Sequence, residues 1–133
     1  IFAAIAPHAS VIKMSDEDAE VLFPGEDVRW LAQRLAADGA LVAITQGGEG
    51  SVVANRQHAV SIPPADLRVV DTIGAGDSFM AAMLSWCATY DWPAAEDLDE
   101  TELTDLGMYA SSAAAITCSR PGADPPWTRE LAP

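Results

Sequence analysis

The chain has 133 residues, half of them hydrophobic, which is enough for one packed domain with a core of its own. Its 20 acidic residues outnumber 7 basic ones, for a net charge of −13, and that field argues against nucleic-acid backbones and anionic membranes as partners. Lys13 is the only lysine, so a polyphosphate ligand must be met by backbone N–H groups, a few arginines and metal ions.

Residues 9–14 form a short apolar run that predicts a buried strand, bounded by Pro7 and by Ser15-Asp16. Ser15 is placed to cap a helix over residues 16–23, with Asp18 completing a capping box, and Pro24-Gly25 stops it. A second helix, over residues 26–38, sets Val28, Leu31 and Leu35 on one face and ends at Gly39. The continuous apolar run 40–45 reads as a strand buried on both faces of a parallel sheet, which makes a βαβ unit. A glycine-rich turn at 46–50 leads to a β-hairpin of strands 51–54 and 58–62, ended by Pro63-Pro64.

The chain is organised around Val69-Val70-Asp71-Thr72-Ile73-Gly74-Ala75-Gly76-Asp77-Ser78-Phe79, where a β-branched run breaks into small residues and an apolar helix begins. Residues 90–100 are acidic and read as a surface loop. A further helix starts near Thr101, with Leu103, Leu106 and Ala110 at helical spacing, and continues through small residues 111–115. Arg120-Pro121-Gly122-Ala123 closes the core, and the proline-rich end around 125–126 is expected to be extended. Cys87 and Cys118 lie in apolar surroundings without metal-site spacing; they read as buried thiols, which suits a reducing cytoplasm. The longest apolar stretch, around residues 79–88, falls short of the ~20 residues a membrane span needs.

Three constellations carry chemistry. The N–H groups of Gly74, Ala75 and Gly76 stand at a helix N-terminus, which attracts anions, and Asp77 follows in its first turn as a candidate base. Read as structure alone, this is a helix entry with a dipole-favouring acid. Thr45-Gln46-Gly47-Gly48-Glu49-Gly50 places glycines at the carboxyl edge of a sheet, where α/β proteins bind ligands, or simply makes the turn into the hairpin. Residues 13–18, Lys-Met-Ser-Asp-Glu-Asp, put carboxylates at a strand end, either a Mg2+ site or an acidic helix start. His8 and His58 belong to a loop and a hairpin. No Walker-type Gly-Lys-Ser/Thr loop and no Gly-x-Ser-x-Gly elbow occurs, and the third glycine of a dinucleotide fingerprint is missing.

Asp71-Thr72-Ile73-Gly74-Ala75-Gly76-Asp77 resembles the C-terminal signature of the ribokinase/PfkB family of sugar and nucleoside kinases. The resemblance implies a three-layer α/β/α sandwich with a mainly parallel sheet and a β-hairpin. It also implies ATP-dependent phosphorylation of a sugar hydroxyl, with Asp77 as catalytic base and the N–H groups of Gly74, Ala75 and Gly76 as anion hole. By the same likeness Thr45, Gly47 and Gly50 contact ATP, and Ser111 lies where the family's adenine pocket is lined. The family's Asn-x-x-Glu becomes Ser15-x-x-Asp18 here, a variant similar to fructokinase-like members, with Ser15 on the nucleotide side and Asp18 toward Mg2+ through water. Asp71, the Ile73 carbonyl and backbone near Thr117 and Gly122 would hold K+, although Pro126 stands where a hydroxyl often helps.

Only the C-terminal half of that family is matched. The chain is therefore expected to be the nucleotide-binding portion of a longer protein, inactive by itself, with the sugar-choosing portion elsewhere and a homodimer or a joined N-terminal half as partner. Arg120 is expected to be a surface or interdomain charge. The rival reading is a non-catalytic nucleotide- or phosphate-binding module whose sheet edge pairs with another chain.

Overall fold

The computed structural model describes residues 1–131. Strand β1 (Val11–Ser15) lies parallel to β2 (Leu41–Thr45), in register from Val11 opposite Leu41 to Ser15 opposite Thr45. The hairpin strands β3 (Ser51–Ala54) and β4 (Ala59–Ile62) follow antiparallel, so the sheet runs in the order β1-β2-β3-β4. The expected sandwich is present, but the sheet is mixed and not mainly parallel: one of its three pairings is parallel, because the hairpin supplies half of the strands.

Helices cover both faces. On one side α2 (Asp16–Leu22) and α3 (Val28–Leu35) pack Ala19, Leu31 and Ala32 over Ile12, Met14, Val42, Ile44 and Val52. On the other, α4 (Ala75–Thr89) and α5 (Glu100–Cys118) pack Phe79, Met83, Leu103 and Leu106 over Ala43, Val53 and Ile62. Each fully buried Leu, Ile or Met contributes about 1.5–3 kcal/mol. The β2 sequence is apolar from Leu41 to Ile44 because these four residues are buried, alternate residues serving opposite cores.

Local chemistry sets the helix ends. The Ser15 hydroxyl accepts the Asp18 N–H at 3.0 Å and the Asp18 carboxylate accepts the Ser15 N–H at 3.1 Å, the capping box read from the sequence. Asp99 and Glu102 form a second box that starts α5. The helix expected over residues 26–38 is shorter: Asp27 caps α3 at Trp30, and residues 36–38 tighten into a 3-10 turn that Gly39 ends at φ +98°. Two short helices lie outside the sequence reading, α1 (Phe2–Ile5) and α6 (Thr128–Leu131), the latter following Pro125-Pro126.

Helix α5 sits unusually close to the hairpin. A Cβ on Gly107 would come within 2.5 Å of Ile62 Cγ1, so only glycine admits this approach, and it brings Ser111, one turn on, to the sheet's carboxyl end. The loop at residues 90–100 is held by Asn55, fully buried, whose Nδ2 donates to the Ala95 and Leu98 carbonyl oxygens at 2.8 Å each. Among the described residues no helix is long and apolar enough to cross a membrane.

Candidate functional site

The carboxyl ends of β1 and β2, the turn that leaves β2 and the N-terminus of α4 meet at one edge of the sandwich. Between them opens a cavity of about 290 Å³. Thr45, Gly47 and Gly50 line it from the β2 turn, Ser111 from α5, and Ala75 and Gly76 from the start of α4. Residues widely separated in the chain, expected separately to meet a nucleotide and an anion, thus share one wall. Phe79, Leu67 and Ala114 make the rest largely apolar.

Helix α4 begins at Gly74, whose φ of +79° places it in the left-handed region, and no side chain caps it. Its leading N–H groups therefore face the cavity edge without a side-chain acceptor. Of the three N–H groups expected to form an anion hole, that of Ala75 turns back to the Thr72 carbonyl oxygen in a long 3.3 Å bond. The Asp77 side chain is exposed on the first turn of α4, outside the cavity lining, and Ser78 behind it is buried. Thr117 of α5 donates its hydroxyl across to Ser78 Oγ at 2.7 Å, which fixes the two helices together one residue beyond Asp77.

Asp71 braces the turn. One carboxylate oxygen accepts the Ile73 N–H at 3.0 Å and the other the Gly122 N–H at 3.0 Å. Those two bonds, Ile73 foremost, hold its carboxyl below the ordinary carboxylate value. Asp18 is likewise lowered, first by the Ser15 N–H, then by the Ser15 hydroxyl, with the charge of Lys13 adding to them. Cys118 lines the cavity, and burial, with Asp71 nearby, pushes its thiol up. Ser15, Asp18, Asp71, Gly74 and Asp77, expected at the same site, do not line the cavity.

Lys13 is the residue that sequence reasoning passed over. It projects from β1 toward the start of α4, where a Cβ on Gly76 would lie 2.7 Å from its Nζ. The only lysine of a chain with a net charge of −13 therefore stands at the turn expected to receive an anion. The signal was present in the alternation of β1: Ile12 and Met14 bury on the α2–α3 side, which turns Lys13 to the face α4 covers.

Taken together, the helical layers, the mixed sheet and the glycine turns at its carboxyl end define a ribokinase-like α/β domain. The description "pfkB family carbohydrate kinase" matches residues 2–129, and the chain belongs to that family. It is 38% identical over 82 residues to a fructokinase of Rhizobium leguminosarum bv. trifolii, covering 61% of this chain and 25% of that protein. It is 33% identical over 119 residues to probable fructokinase-4 of Arabidopsis thaliana, covering 88% of this chain and 36% of that protein. Among solved structures, ribokinase from Thermotoga maritima superposes with a TM-score of 0.74 at 24% identity, over 96% of this chain and 42% of its own. Phosphofructokinase-2 from Escherichia coli superposes with a TM-score of 0.76 at 20% identity, over 98% of this chain and 42% of its own. The chain thus spans well under half the length of the relatives it matches.

Proposed function

We propose that residues 1–133 are the nucleotide- and phosphoryl-handling portion of an ATP-dependent kinase that phosphorylates a sugar hydroxyl. The observation that carries this reading is the shared cavity, in which the β2 glycine turn and Ser111 face the uncapped start of α4. An adenosine moiety would lie against the apolar wall beside Thr45, Gly47, Gly50 and Ser111. Its phosphates would then run to the N–H groups of Gly74, Ala75 and Gly76 and to Lys13. The acidic chain repels polyphosphates at long range, so these local donors must supply the attraction.

In transfer, Asp77 accepts the proton of the acceptor hydroxyl as its oxygen forms a bond to the γ-phosphorus and the bond to the ADP oxygen breaks. Asp77 suits this role because its side chain is exposed beside the anion turn, open to an acceptor arriving from outside the chain. The N–H groups and Lys13 stabilise charge on the phosphoryl oxygens where it develops.

Among the described residues no cluster of three or more His, Cys, Asp or Glu could hold a metal ion. Asp18, whose carboxyl the Ser15 N–H and hydroxyl hold below the ordinary value, would hold Mg2+ through water. When bound, Mg2+ supplies charge neutralisation at the phosphates. A K+ ion would be met by Asp71, the Ile73 carbonyl and backbone near Thr117 and Gly122; each Asp71 oxygen accepts one N–H and keeps a further lone pair. The Escherichia coli phosphofructokinase-2 structure was solved in complex with potassium, which supports testing this ion.

Relatives named fructokinase make fructose the first acceptor to test. The acceptor-choosing portion, or a second copy, would join at β1, whose outer edge has no strand partner among the described residues. The free thiols of Cys87 and Cys118 accord with work in the reducing cytoplasm. Calorimetric titration of the chain with ATP, ADP and adenosine tests the site: ATP and ADP are expected to bind more tightly than adenosine, and equal affinities would remove the anion turn from the reading.

A further inference from the structure

The loop that leaves α5 is fastened to the anion turn at several points. The Cys118 carbonyl oxygen accepts the N–H groups of Val70 at 2.7 Å and Asp71 at 3.1 Å. The Gly122 N–H donates to Asp71 Oδ2 at 3.0 Å. Ala123 abuts Gly74 so closely that a Cβ on that glycine would lie 2.9 Å from the Ala123 Cβ. Gly122, at φ +72°, makes the sharp turn this approach needs. Gly122 and Ala123 have no polar side chain with which to hold their own position.

Arg120 closes that loop. Its guanidinium pairs with the Asp124 carboxylate at 3.6 Å, across the two residues that touch the turn, and with the Glu130 carboxylate on α6. Glu130 also accepts the Trp127 N–H at 2.8 Å, which orients it toward Arg120. Arg120 is the less exposed member of both pairs, at 26% against 66% and 32%. The arginine therefore stands at the centre of a clasp whose contents are the residues that brace Asp71 and Gly74.

We infer that Arg120 is a positioning residue for the phosphoryl-binding turn, acting through Gly122 and Ala123 on Asp71 and Gly74 and touching no ligand itself. The inference rests on the nucleotide reading above. Backbone N–H groups at a helix start serve an anion only along the direction in which they point, so a loosened brace weakens phosphate binding and leaves the nucleoside contacts at the β2 turn intact. Solvent screens ion pairs of this exposure, so the expected effect is modest, about three- to fivefold in affinity.

The test is calorimetric titration of ATP, ADP and adenosine into the chain and its Arg120→Gln, Arg120→Lys and Asp124→Asn variants, with thermal melts alongside. Arg120→Gln and Asp124→Asn are expected to bind ATP and ADP about three- to fivefold more weakly with adenosine unchanged, and Arg120→Lys to recover most of the loss. Undiminished ATP affinity in the Gln and Asn variants overturns the inference while the wild-type preference for ATP upholds the nucleotide reading. An equal loss for adenosine shows a merely structural role and also overturns it. A wild type that does not prefer ATP to adenosine overturns both. Should Arg120→Gln fail to fold, Asp124→Asn, at the exposed end of the clasp, decides alone.

Discussion

Lys13 Nζ stands 2.7 Å from where a Cβ on Gly76 would be, so the chain's only lysine fills the space that the last glycine of its central turn leaves open. Glycine at this position lets the lysine lie against the backbone, and the lysine brings a full positive charge to N–H groups that carry only partial ones. Lys13→Met is expected to lower ATP affinity by about tenfold or more, since a hydrogen bond to a charged group contributes about 1.5–3 kcal/mol. Adenosine binding should be unchanged. Calorimetry with both ligands reads the difference, and an equal effect on each would place Lys13 outside the phosphate site.

Gly74→Ala is expected to destabilise the chain by about 1–3 kcal/mol, because an alanine is strained at positive φ and its methyl group would press on Ala123. Urea unfolding measures this. Gly48→Ala, where a Cβ meets nothing within 4 Å and φ is not positive, serves as the matched control and should change stability little.

Much of this arrangement was legible in the sequence, and the illegible parts share a cause. The Ser15–Asp18 capping box, the buried β2 run and the hairpin depend on neighbours within a few residues, and each was read correctly. Lys13 at Gly76 and Arg120 at Glu130 depend on contacts between distant segments, and local pattern holds no record of which segments meet; Gly122 was brought to Asp71 by the family likeness alone. The family likeness marked Asp71 for a cation, but gave no sign that both its oxygens bind N–H groups. The sheet's mixed character followed from the hairpin already predicted; the likeness to a mainly parallel family outweighed it.

At Gly107 the core itself is the constraint. Gly107→Ala would force a methyl group into Ile62 and Val53, and overpacking of this kind costs about 1–3 kcal/mol. A lower thermal midpoint is expected. A midpoint unchanged from wild type would show that α5 lies farther from the hairpin than the structure has it.

Asp71 predicts a pH dependence with a definite sign. Its carboxyl is lowered in the folded chain, so its contribution is fully present above the unfolded value of about 3.9 and is lost as pH falls through the lower folded value. The amide resonances of Ile73 and Gly122 should report one titration with its midpoint below about 3.9, absent in Asp71→Asn. A midpoint at or above the ordinary value would contradict the bracing role.

On the proposed reading, in which the acceptor-choosing portion lies outside residues 1–133, the chain is expected to show no ATP-dependent sugar phosphorylation by itself. Phosphorylated sugar appearing with this chain alone, in a coupled ADP assay, would show that the acceptor site is already present.

The most direct test of the kinase reading is Asp77→Asn in the longest form of the protein, with turnover and ATP affinity measured together. Loss of a general base predicts a fall in kcat of about 10²–10⁴ with ATP affinity intact. Unchanged turnover would contradict the assignment of Asp77 and favour a nucleotide-binding module without catalysis.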